Sequence, residues 1–83
     1  MSGSVITLSD KLSNYDEALI EVSINQAARL TMLVNLKNIV LSASSWYELK
    51  RLDNQYFQFA FTSDNEFKVV ATSGYTHMAV WAK

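Results

Sequence analysis

His77 is the only histidine in the chain, so it is where a general base or a nitrogen ligand for zinc would be sought first. A zinc site needs three or four ligands. The chain has no cysteine, and the nearest carboxylate by strand geometry, Glu66, falls two cross-strand rows away from His77. His77 therefore reads as a surface histidine beside Val70. The carboxylates Asp16, Glu17 and Glu21 offer a pair for acid–base work, but no companion base accompanies them, and a solvated face near a helix start explains the grouping. Ser42, Ser44 and Ser45 lack the Gly-x-Ser-x-Gly spacing of a nucleophile elbow and read as helix punctuation. With glycine only at positions 3 and 74, there is no phosphate-cradling loop. The expectation is a non-enzymatic protein with no catalytic residues, no cofactor and no metal.

The chemistry that does stand out is aromatic. Nine of the ten Phe, Tyr and Trp residues lie between Trp46 and Trp81, in segments that read as strands at 55–62, 66–72 and 75–82. Alternation puts Phe57, Phe59, Phe61, Phe67, Val69 and Ala71 on one face. For those sets to coincide, Phe61 must oppose Phe67 across a Ser63-Asp64-Asn65 loop. A two-residue Ser73-Gly74 turn then sets Thr72 against Tyr75 and Val69 against Met78, and Met78 and Val80 join the core face. The opposite face carries Tyr56, Gln58, Lys68, Tyr75, His77 and Trp81, the candidate partner-binding surface. Rings with polar tips are the residue types that dominate protein interfaces.

The elements that position this face come from the amino-terminal half. Ser13-Asn14-Tyr15-Asp16 has the form of a capping box, and Tyr15, Ala18, Leu19 and Val22 recur at helical spacing, which predicts a helix from about 14 to 23. A strand over 18–24 competes with it, because Ile20, Val22 and Ile24 alternate with Glu21 and Ser23. From 26 to 40, after a capping Asn25, Ala27, Leu30, Leu33 and Val34 line one side of a helix. Ser45-Trp46-Tyr47-Glu48 opens a third, short helix through about residue 53. The predicted fold class is α+β: a helical amino-terminal half, with 18–24 able to add one strand, packed on a carboxy-terminal three-stranded antiparallel meander. Residues 1–83 read as a single domain.

Charge is nearly balanced, seven Lys and Arg against eight Asp and Glu, which disfavours nucleic acid as a partner because phosphate neutralisation supplies most of that affinity. No apolar run approaches the roughly 20 residues that span a bilayer, and no secretion signal is present, so a soluble, cytoplasmic protein is expected. The function expected is a small protein-binding module, an inhibitor or adaptor of the type carried by phages and mobile elements, covering a surface of a larger macromolecule. Single-stranded nucleic-acid binding through the aromatic face and a self-associating structural protein are the alternatives. The strand at 75–82, free of proline and charge, is an unprotected edge that invites pairing, including homodimerisation.

Overall fold

The computed structural model describes residues 3–24 and 27–83, apart from the side chains of Ile24, Ala27 and Ala28. Among these residues, seven strands form two antiparallel sheets: β1 (Val5–Thr7), β2 (Glu17–Ile24), β3 (Ala27–Asn35), β4 (Tyr47–Leu52), β5 (Gln55–Ser63), β6 (Glu66–Ser73) and β7 (His77–Ala82). The first sheet has the order β1-β6-β5-β4 and the second β3-β2-β7. Between them lies one core, in which Phe57, Phe59, Phe61, Phe67 and Val69 meet Ala18, Ile20, Val22 and Val34.

The α+β expectation is thereby corrected. Among the described residues the only helical element is a 3-10 turn, Leu12–Asn14, and no helix is long and apolar enough to cross a membrane. Ser13 does not cap a helix. Its hydroxyl donates to Asp64 Oδ2 at 2.9 Å and its amide to Asp64 Oδ1 at 2.9 Å, pinning the 8–15 segment to the β5–β6 turn. The strand reading of 18–24 is the one realised, because alternation puts Ala18, Ile20 and Val22 fully inside. In β3 the inward set is Leu30, Met32 and Val34, which pair with Val22, Ile20 and Ala18. Leu33, counted toward a helical stripe, points to solvent and is 56% exposed. Residues 47–52 pair with β5, so Tyr47 and Leu49 face inward opposite Phe59 and Phe57. The capping role predicted for Asn25 falls outside the described residues.

The meander is half right. Phe61 opposes Phe67, but Ser63 rather than Thr62 faces Glu66, with a register shift that skips Thr62. A second shift after Gln58 leaves Val70 without an opposite residue and sets Thr72 against Phe57. The predicted Thr72–Tyr75 and Val69–Met78 pairs do not form. Residues 74–76 cross from the first sheet to the second, where β7 pairs with β2 from Ala18 opposite Ala82 to Ser23 opposite His77. The edge at 75–82 is thus paired on one side from within the chain, by the 18–24 segment.

The four buried phenylalanine rings and Tyr47 make a continuous aromatic layer. Phe59 lies 5.2 Å from Phe67 and 5.3 Å from Tyr47 in stacked geometry, and meets Phe61 edge-on at 6.0 Å. Such pairs add about 0.5–1.5 kcal/mol each beyond the area they bury. The layer fixes how the two sheets face each other, and so which side chains are left outside.

Candidate functional site

The six residues singled out from the sequence are divided by this architecture. Tyr56, Gln58 and Lys68 lie on the outer face of the first sheet, His77 and Trp81 on the outer face of the second, and Tyr75 is buried at 5% exposure. The structure therefore brings together two groups where the sequence implied one surface. On the first sheet, Gln58 Nε2 donates to Glu48 Oε2 at 2.7 Å, Ala60 is fully buried between the residues around it, and Lys68 stands opposite Val5 and Ala60. That face is polar at its centre and partly self-satisfied.

The second sheet is different. Because Leu19 of the central strand opposes Leu33 on one side and Trp81 on the other, the three side chains form an apolar row across all three strands. Leu33 is 56% and Trp81 52% exposed. The next row is Thr31, Glu21 and Ala79, and the row on the other side contains Asn35 and Glu17. Glu17 and Glu21 thus flank Leu19 along the central strand. Cations stand at the margins: Lys37 beyond Asn35, Lys83 at the end of β7, and Arg29 at the far end of β3. An open groove of about 400 Å³ borders the row, lined by Asp16, Glu17, Leu33, Asn35 and Lys37. The Lys37–Asp16 ion pair across it, at 3.9 Å and well exposed, adds little stability.

His77 sits at the opposite end, beside Ser23, with Nδ1 and Thr76 Oγ1 2.8 Å apart. No group of three or more His, Asp or Glu side chains able to hold a metal occurs among the described residues. Leu19 and Leu33 are the site residues that the sequence reading missed. Their signal was available only after β3 had been recognised as a strand, since alternation then sends Leu33 to the same side as Thr31 and Asn35. No family model matches the chain, and no curated protein or solved structure matches it either.

Proposed function

We propose that the protein is a protein-binding module that docks a larger partner through the outer face of the β3-β2-β7 sheet. The observation that carries this is the solvated row of Leu33, Leu19 and Trp81. A sheet face turned to water ordinarily alternates toward polar side chains, and this one presents a large indole and two leucines in line. Rigid aromatic and aliphatic anchors surrounded by polar residues are the composition of interface centres. The partner's chemistry follows from the surround: an apolar centre to meet the row, with cationic groups in reach of Glu17 and Glu21.

This reading refines the adaptor or inhibitor role and moves its centre. Trp81 stays within it and His77 lies at its border, while Tyr56, Gln58 and Lys68 fall outside. The test is capture of the partner from the native host with identification by mass spectrometry, followed by calorimetry on the purified pair. Leu33→Asp and Trp81→Ala are each expected to weaken binding by about thirtyfold or more, as removal of an interface anchor worth about 2 kcal/mol does. Tyr56→Ala is expected to leave it unchanged. The reverse pattern, or capture of oligonucleotides with a steep salt dependence, overturns the assignment.

A further inference from the structure

Four strands of the sandwich have an open edge, and three are blunted in recognisable ways. β1 is only three residues long. β4 carries Glu48, Lys50 and Arg51 and breaks register between Lys50 and Leu52. β3 carries Arg29, and its pairing with β2 shifts register between Val22 and Ile24. Short length, charge and bulges are the devices by which sheets avoid adding foreign strands. β7 has none of them: His77–Ala82 contains no Lys, Arg, Asp, Glu or Pro, and its register with β2 is unbroken.

The direction of its free backbone groups can be worked out. Glu17 and Lys83 exchange both backbone hydrogen bonds, each at 2.9 Å. In an antiparallel ladder such pairs recur at every second residue, so Leu19 with Trp81 and Glu21 with Ala79 are bonded in the same way. The N–H and C=O groups of Met78, Val80 and Ala82 consequently point away from β2, along the open edge.

We propose that a second copy of the chain adds its own β7 antiparallel along this edge, about a two-fold axis at Val80, joining two three-stranded sheets into one. This register sets Val80 against Val80 and Met78 against Ala82 twice over, so that all three outward-pointing residues of each strand are bonded. A shift of two residues toward the amino terminus would set Ala82 of each copy against Thr76 of the other, which lies before the strand.

Two features of the edge are self-complementary in this register. On the outer face, each Trp81 lies opposite the other copy's Ala79, so the large ring overlies the smallest side chain of the strand. On the inner face, each Met78 comes beside the other copy's Ala82. Ala82 and Val80 border a cleft of about 130 Å³ lined also by Leu8, Leu12 and Tyr15, with Ser9 and Asp10 at its polar side. A flexible thioether suits the irregular apolar side of such a cleft, formed by Leu8, Leu12, Val80 and Ala82. Isologous pairing of one patch with itself is the commonest way soluble chains form closed dimers. It also leaves Leu33 and Leu19 on the outer surface of each half.

Sedimentation equilibrium of the intact chain over a concentration series, with amide exchange at its two ends, is the experiment. Dimer formation is expected, with Met78 and Val80 amides gaining protection as concentration rises while Ala79 and Trp81 amides are protected throughout. Val80→Pro removes an amide that the single copy does not use, so it is expected to fold by near-ultraviolet dichroism and to remain monomeric. Should that variant fail to fold, the alternating exchange pattern of the unaltered chain decides alone. Leu33→Asp lies two strands from the edge and is expected to dimerise normally, which separates this inference from the docking face. A chain that is monomeric at every concentration overturns the proposal. So does a dimer whose protection appears at Thr31 and Leu33 instead, or a folded Val80→Pro that still dimerises.

Discussion

Tyr75 shows how far one side chain's environment can depart from its apparent face. It is buried, its hydroxyl meets no hydrogen-bond partner, and burial pushes its phenol pKa up, opposed weakly by the positive charge of Arg51. An unfolded chain releases the same proton near pH 10. The folded state holds it to higher pH, so this stabilising contribution is complete below about pH 10 and is lost as pH rises through the folded-state value. Tyr75→Phe is expected to reduce the alkaline loss of stability relative to the unaltered chain. At neutral pH it should cost under about 1 kcal/mol or stabilise, because an unpaired buried hydroxyl is removed. Urea melts at a series of pH values decide the matter, and a neutral-pH loss above about 2 kcal/mol would mean that the hydroxyl has a partner. Phe59 is the opposite case. Fully buried amid four rings, it should lose about 3–5 kcal/mol on Phe59→Ala. Tyr56→Ala, on the half-solvated outer face, is expected to cost much less, and equal losses in denaturant melts would place both residues in the core.

At the scale of elements, the crossing at 74–76 is the decisive turn. Gly74 has φ of +84°, and a Cβ there would stand 3.1 Å from the backbone oxygen of Asn54 and 3.1 Å from Gln55 Cγ. Gly74→Ala therefore combines left-handed strain with crowding against the β4–β5 turn, and a loss of about 1–3 kcal/mol is expected in thermal or denaturant melts. No loss would show that the crossing can relax. The sequence made the need for glycine legible but not its purpose, since a two-residue hairpin and a change of sheet both call for positive φ at Gly74. The same limit governs the amino-terminal half. Phe57, Phe59, Phe61 and Phe67 were legible because alternation among aromatics has one reading. In β3, the exposed Leu33 beside Val34 broke the alternation and imitated a helical stripe. In β4, Tyr47 and Leu49 alternate over too few residues to outvote a capping box. Only their pairing with Phe59 and Phe57, residues distant in sequence, fixes the strand, and no local window contains it. The candidate site was partly legible for that reason: Trp81 could be placed from its own strand, whereas Leu19 and Leu33 required the second sheet.

The whole molecule is held by pairings between distant segments. β1 lies against β6, β2 against β7, and Asp64 fastens the 8–15 segment through Ser13. Chains dominated by such contacts must close long loops before any interaction rewards them, so they fold in roughly milliseconds to seconds, slower than helical domains of equal size. The helical expectation would have implied a faster folder. The chain also has no proline, which removes the isomerisation that gives many domains a phase of tens of seconds. Stopped-flow refolding at low concentration is therefore expected to show one phase in that millisecond-to-second range with nothing slower. A slow phase that grows with protein concentration would report assembly, and Val80→Pro should abolish that concentration dependence, since the open β7 edge is where a second chain would add. A slow phase independent of concentration in the unaltered, proline-free chain would instead place a barrier within the single chain, at the crossing of residues 74–76 or in the docking of β1 on β6. Gly74→Ala would separate those two, because it slows only a step that must form the crossing.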